Sequence, residues 1–358
     1  MTTSGANNYK ERLPSTYDED AETGEKGYPA AKVGISALLA PTWDRSQFFP
    51  PLEPFDHHDP GLNAVSGSYT ELLPPGSQEK LLTPHAGSEI RGVQLSQLSS
   101  AGKDQLARYV AERKDFASKL SIAEAIDFCR YFGPPHIHAT SGCPQGYPEV
   151  HLAHRAAGDT SAAKFLEMRC TSVAWHSDVS HEAQPPGTSF LYILEKPPVG
   201  GDTLFADNVE AYNRLSEAMK QRLHGLQGVH SGEEQIQASL NRGGIKRRDP
   251  VTSVHPIVRT HPVTGEKALF LSQQSLRCIK GFKKDESDAI LKFLFDHIAF
   301  GADFHVRVGW EEGTVVVWDN RLTSHTALID WRDGQRRHVA RIAPLAEKPF
   351  ETPYVSPA

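Results

Sequence analysis

No run of this 358-residue chain approaches the ~18 apolar residues that a membrane helix needs. The opening stretch, Met1 to Gly27, is polar throughout and lacks the apolar core of a secretory signal. Cysteine is scarce. Cys129, Cys143, Cys170 and Cys278 lie far apart and form no CxxC pair, which argues against a zinc knuckle and against a disulfide framework. A reducing, cytoplasmic setting is therefore expected, and the terminal Ser356-Pro357-Ala358 is not the Ser-Lys-Leu peroxisomal address. Positive charge is not in excess: the formal net charge is −6, which argues against nucleic acid or a membrane surface as the main partner. No internal repeat is visible.

What the chain does have is a composition able to bury a core, with 39% hydrophobic and 23% charged residues. Its length allows one large domain or two medium ones. Residues 1–60 are polar and rich in Asp and Pro, with Pro41, Pro50, Pro51 and Pro54 punctuating the later part. They are expected to form an extended, partly disordered arm that wraps the surface. The arm is drawn to residue 80, the globular domain over residues 81–350, and a tail over residues 351–358.

Within the domain, Leu106, Tyr109 and Val110 recur at helical spacing in Lys103–Arg113. Asp207-x-x-Glu210 resembles a capping box and opens an expected helix carrying Val209, Tyr212, Leu215, Met219 and Leu223. A third helix is expected after Asp285, with Ile290, Phe293, Leu294, His297 and Ile298 on its apolar face. The remainder reads as strands. Ser189–Leu194 and Thr314–Trp318 are continuous apolar runs suited to burial on both faces, while His305–Trp310 and His338–Ala343 alternate. The fold class is mainly β with flanking helices (α+β), a sandwich or barrel with helices on one side.

The chemistry concentrates in Trp175-His176-Ser177-Asp178. Two residues apart on an extended segment, His176 and Asp178 leave the same face and can converge on one ion. His325, just beyond a buried strand and a polar turn, is the best third ligand. Two histidines and a carboxylate on one face form the iron(II) set that leaves positions open for co-substrate and oxygen. His-x-Asp alone arises often by chance in a chain with 17 histidines. The arginines add weight. Arg336-Arg337 follows His325 at the distance where an acidic co-substrate would be held. Arg337, Val339 and Arg341 share one strand face, with His338, Ala340 and Ile342 on the other. Guanidinium forks suit carboxylate or sulfonate oxygens, so two arginines near a metal imply two anionic ligands. The bland reading is a solvated strand face.

Several segments taken together resemble the taurine/α-ketoglutarate dioxygenase (TauD/TfdA) family, in particular its fungal sulfonate dioxygenase branch. They are Phe132-Gly-Pro-Pro-His-Ile-His138, Trp175-His-Ser-Asp-Val179, Gly200-Gly-Asp-Thr-Leu-Phe205, Gly243-Gly-Ile-Lys-Arg-Arg248, His255-Pro-Ile-Val-Arg-Thr-His-Pro262, and Trp318-Asp-Asn-Arg321 with His325. The resemblance runs from about Leu82 to Pro349. It implies a double-stranded β-helix (jelly-roll) core and assigns His176, Asp178 and His325 to iron(II). It also implies Thr203 and Arg337 on the far carboxylate of 2-oxoglutarate, and Arg341 with His138 on a substrate sulfonate. The expected reaction couples oxidative decarboxylation of 2-oxoglutarate by O2 to hydroxylation of the carbon next to sulfur. The hydroxysulfonate then collapses to an aldehyde and sulfite, alongside succinate and carbon dioxide. The expected partner is a small anionic substrate, with homo-oligomer formation also in view.

Two departures from the family stand out. Pocket positions that are Tyr, Asn and Phe in taurine-specific members align with Ser141, Ser172 and Ser275, so a roomier pocket and a longer or bulkier sulfonate than taurine are expected. A strand that relatives carry where this chain reads Glu112-Arg-Lys-Asp-Phe116 is expected to be missing, which would leave neighbouring backbone unpaired. The competing readings are the same chemistry on a small carboxylate such as an aryloxyalkanoate, and a catalytically inactive binding protein. A structural zinc protein ranks last, because no fourth ligand is evident. Ile236–Asp249 reads either as a mobile lid or as a solvated basic loop.

Overall fold

In the computed structural model, residues 44–355 are described, apart from 120, 121, 156–165, 168, 242, 312 and 332–334. Residues 1–43 of the expected arm over 1–80, and the last three residues of the tail, lie outside this set. In chain order the strands are β1 (Gln78–Leu81), β2 (Ser88–Gln94), β3 (Asp115–Lys119), β4 (His151–Arg155), β5 (Thr188–Glu195), β6 (Thr203–Asp207), β7 (Gln227–Ser231) and β8 (Thr252–Pro256). They continue with β9 (Val258–Thr260), β10 (Lys267–Leu269), β11 (Leu276–Ile279), β12 (His305–Val308), β13 (Val315–Asp319), β14 (Thr323–Ala327) and β15 (Arg337–Ile342). The helices are α1 (Ser100–Arg113), α2 (Ile122–Arg130), α3 (Asn208–Asn213), α4 (Glu217–Leu223), α5 (Glu233–Asn241) and α6 (Lys284–Phe300).

The two apolar runs, now β5 and β13, pair antiparallel at the centre of a seven-stranded sheet ordered β1-β2-β3-β13-β5-β15-β4. A smaller sheet, β12-β6-β14, stacks on it. Ile193, Val316, Trp318 and Val339 from the large sheet meet Phe205, Val306 and Val308 from the small one in a single buried cluster. On the opposite face of the large sheet, Phe190, Tyr192, Val317 and Ala340 pack against Leu106 and Val110 of α1 and Phe128 of α2. Burial on both faces is why these strands read as continuous apolar runs. Each such side chain contributes about 1.5–3 kcal/mol when fully buried. Two face-to-face sheets, antiparallel except for the β2–β3 pair, with helices outside form a jelly-roll core, as expected.

The later part of the N-terminal segment is fastened to this core. Asp59 caps the short turn Pro60–Asn63, which packs on α1, and its second oxygen accepts from the buried Arg321 at 2.6 Å.

Four expectations are corrected. The strand thought missing is present as β3. Lys114, with φ of 74°, ends α1 and turns the chain at once into β3, which pairs with β13 from Val315↔Ser118 to Trp318↔Asp115 and lies parallel to β2. Its backbone partners on both sides, not an apolar pattern, define it. The helix opened by Asp207 is two helices: Asp207 accepts from Val209 and Glu210 N–H, and Ser216 then caps α4 afresh through Met219 N–H. On α6, Leu291, Leu294 and Ile298 are buried, whereas Phe293 faces solvent. The Ile236–Asp249 segment is not a solvated loop at its basic end. Arg247 and Arg248 are each only 1% exposed, held by Ser141 O at 3.2 Å and by Glu182 at 2.8 Å respectively.

Candidate active site

His176 and His325 come from distant parts of the chain and are joined by an isolated antiparallel bridge. His176 N–H donates to His325 O at 3.0 Å and His325 N–H returns to His176 O at 2.8 Å. Their rings stand 4.3 Å apart. Asp178, two residues on, places Oδ1 3.8 Å from His176 Nε2 and 3.7 Å from His325 Nε2. The sequence-predicted triad is thus brought together with its ligand atoms all within 4.8 Å of one another.

Each member is held by the fold. His176 Nδ1 pairs with Ala174 O at 2.8 Å, which turns Nε2 toward the shared space. The His325 ring stacks on Phe205 and meets Trp318 edge-on. Asn320 grips the Asp178 backbone from both sides, accepting its N–H at 2.8 Å and donating to its carbonyl at 3.1 Å. Immediately afterwards Val179 adopts φ of 39°, a left-handed conformation that a β-branched residue takes only under constraint. Such strain, of order 1–3 kcal/mol, is typical of functional turns.

Electrostatics favour a metal. Burial alone would raise the Asp178 carboxyl, but the Arg341 guanidinium and the two histidines outweigh it and hold it at about 2. Burial, reinforced by His176, brings His325 down to about 3, so the ring stays neutral with a lone pair available. The second carboxylate oxygen of Asp178 is buried without a partner. An anionic carboxylate, two neutral imidazoles and an orphaned oxygen fit a divalent ion of the iron(II) class.

A second group, His57, Asp59 and Glu347, also clusters closely. Its cationic partners are already side chains. Arg321 lies between Asp59 at 2.6 Å and Glu347 at 3.1 Å, and Arg259 bonds Glu347 at 2.8 Å. This network fastens the N-terminal segment rather than binding an ion.

Both arginines of β15 point between the two sheets, on the side of Val339, as the alternation predicted. Arg341 donates to Asp178 Oδ1. Arg337 lies four residues away, roughly 13 Å along the strand. It donates to Gly201 O at 2.8 Å and to Thr203 Oγ1 at 3.3 Å. Thr203 and Arg337, paired in the expectation, therefore share one pocket edge. Gly201 makes this possible: its φ is 74°, and a Cβ there would stand 3.2 Å from Arg337 Cδ.

The remaining predicted residues divide. His138 is buried, packs against His151 with tilted rings 4.4 Å apart, and feels the charge of both Arg341 and Asp178. Ser141 is buried with a partnerless hydroxyl. Ser172 and Ser275 are committed elsewhere, Ser172 accepting from Ile329 N–H at 3.1 Å and Ser275 meeting His181 at 3.4 Å. Two contributors had no assigned role in the sequence. Asn320 stands inside the quoted Trp318–Arg321 segment, so its proximity to a ligand-bearing turn was a usable signal. His151 carried none.

Comparison with known proteins agrees with this geometry. Residues 78–343 match the family model described as taurine catabolism dioxygenase TauD, TfdA family. The chain is 41% identical to an alpha-ketoglutarate-dependent sulfonate dioxygenase of Saccharomyces cerevisiae, over 87% of this chain and 78% of that protein. It is 40% identical to the alpha-ketoglutarate-dependent dioxygenase cnsP of Penicillium expansum, over 86% of this chain and 87% of that protein. Among solved structures, a taurine dioxygenase from Burkholderia xenovorans superposes with a TM-score of 0.62 at 30% identity, covering 77% of this chain and 93% of that one.

Proposed function

The chain belongs to the TauD/TfdA dioxygenase family, and from that premise we propose that it is an iron(II)- and 2-oxoglutarate-dependent dioxygenase acting on an alkyl sulfonate. The reaction hydroxylates the carbon next to sulfur with one atom of O2, and the product splits into an aldehyde and sulfite; the other oxygen atom enters succinate as 2-oxoglutarate loses carbon dioxide. The single observation that carries the reading is the placement of Arg337 and Arg341 on one buried strand face, one beside Thr203 and the other beside Asp178.

His176, Asp178 and His325 would hold iron(II) on one face. When bound, that ion supplies the O2 activation and redox chemistry that side chains cannot. The residues do the rest. Arg337 and Thr203 bind the far carboxylate of 2-oxoglutarate through a guanidinium and a hydroxyl. Arg341 and His138 take the anionic head of the substrate, fixing which carbon faces the reactive side. Phe205 and Trp318 pack against the His325 ring and fix its orientation. The short side chain of Ser141, buried with its hydroxyl unpartnered, leaves room for a sulfonate longer than taurine.

The inactive-protein reading loses its basis with β3 in place, and the sulfonate relative at 41% identity favours sulfonate over carboxylate. A reducing, cytoplasmic setting belongs to the same proposal, supported by four free cysteines. Among the described residues no helix is long and apolar enough to cross a membrane. The test is sulfite release from a panel of alkyl sulfonates, with iron(II) and 2-oxoglutarate supplied. Sulfite and succinate formed one to one support the proposal; turnover of aryloxyalkanoates alone, with no sulfite from any sulfonate, overturns it.

A further inference from the structure

Beside Arg341 the structure leaves more hydrogen-bonding capacity than an arginine and one histidine need. In the β4–β15 ladder, Arg341 stands directly opposite His151, so the two side chains leave the same face. The His151 ring packs on that of His138 with centroids 4.4 Å apart. Leu152 N–H donates to Gly142 O at 3.2 Å, which sets Ser141 beside His151; among the described residues His151 Nδ1, Arg341 Nε and Ser141 Oγ are buried without a partner. Buried polar groups are almost always satisfied, so orphans on these neighbouring residues mark the place of a polar ligand. His138 Nδ1 accepts from Thr140 N–H at 3.3 Å, which leaves its proton on Nε2 as a donor. The corner is braced from behind by the buried Arg247, which donates to Ser141 O at 3.2 Å and, through its backbone, to Ala139 O at 2.7 Å. Burial, then the charge of Arg341, depresses both His138 and His151 well below their usual range, so both are neutral donors that do not repel Arg341.

We propose that His151 contacts the substrate and completes, with Arg341 and His138, a three-donor cradle that prefers a sulfonate head to a carboxylate. This rests on the sulfonate reading above and adds a discriminating residue to it. An arginine fork matches two coplanar oxygens and so serves a carboxylate fully. A sulfonate presents a third oxygen out of that plane. Two imidazoles rising from β4 and from the His136–His138 segment can reach such an oxygen from a different direction.

The probes are hexanesulfonate and heptanoate, anions of equal chain length that differ in the head. Each is titrated anaerobically into the iron(II)–2-oxoglutarate complex, and binding is read from the change in its visible absorption and by calorimetry. The variants are His151→Phe, which keeps a ring without N–H, and His151→Gln, which keeps a donor. Loss of one hydrogen bond to a charged group predicts that His151→Phe weakens hexanesulfonate about tenfold or more. Heptanoate should change less than about threefold, 2-oxoglutarate affinity should hold, and His151→Gln should recover most of the loss. Equal weakening of both anions, or none, overturns the role of His151 while leaving the sulfonate reading intact. Failure of hexanesulfonate to bind the unaltered protein overturns the cradle, while the sulfonate reading itself is decided by the sulfite panel. If His151→Phe does not fold, His151→Leu, which also lacks a donor, carries the same prediction.

Discussion

His176 and His325 exchange both of their backbone hydrogen bonds, at 3.0 and 2.8 Å, and this reciprocal bridge is what turns two distant stretches of chain into one face of ligands. The side chains need no long reach, because the backbone pairing already places their rings 4.3 Å apart. Asp178 follows on the same face and is pinned by Asn320.

Asp178→Ala is expected to lose iron(II) and all measurable turnover. Loss of an outer-sphere partner of a metal ligand typically costs about 10–100-fold in metal affinity, and loss of the ligand itself should exceed that. Iron content after gel filtration and succinate formation check this. Retention of stoichiometric iron would contradict the ligand assignment.

The two arginines should separate kinetically. Arg341→Ala should raise KM for the sulfonate by about tenfold or more while changing KM for 2-oxoglutarate little; Arg337→Ala should do the reverse. Both guanidinium groups are buried, so folding of each variant is checked by denaturation. Equal effects on both substrates would mean the roles are wrong.

Asn320→Ala removes both clamps on the Asp178 backbone and leaves a buried N–H unpaired. About 1–3 kcal/mol of stability should be lost, with weaker iron(II) binding. Urea unfolding combined with an iron titration tests the pair of effects. A variant that loses stability but binds iron normally would make Asn320 purely structural.

The arm-fastening network predicts an acid limit. Burial would raise the Glu347 carboxyl from 4.5, but Arg321 and Arg259 outweigh it and hold it down to about 2. A depressed carboxyl contributes stability above its unfolded value, and that stability is lost as pH falls from about 4.5 toward 2. The shift corresponds to roughly 3 kcal/mol. Glu347→Gln should flatten this part of the stability profile while lowering stability at neutral pH, because Arg259 and Arg321 lose a charged partner. An unchanged acid limb would remove Glu347 from the account.

Much of this site was legible in the chain because its spacing is local. His176 and Asp178 sit two apart on extended backbone, and Arg337 and Arg341 sit four apart on a strand buried on both faces, with Val339 in one core cluster and Ala340 and Ile342 in the other. What was not legible depends on long-range pairing. His151 gains meaning only from its register opposite Arg341, and no local pattern distinguishes it from the other histidines. Arg247 and Arg248 sit in a basic run that reads as surface; Glu182, His136 and backbone carbonyls bury them. β3 is short and polar, so only the strands on either side of it reveal it. The break between α3 and α4 turned on Ser216, a cap inside an otherwise continuous helical pattern.

The central claim is that His176, Asp178 and His325 hold one iron(II) with 2-oxoglutarate beside it. An anaerobic titration of iron(II) into the protein with 2-oxoglutarate, followed by the visible charge-transfer absorption, tests it directly. The account predicts a band that saturates at one iron per chain, vanishes in His325→Ala and shifts when a sulfonate is added. Absence of the band in the unaltered protein, or its full persistence in His325→Ala, would contradict it.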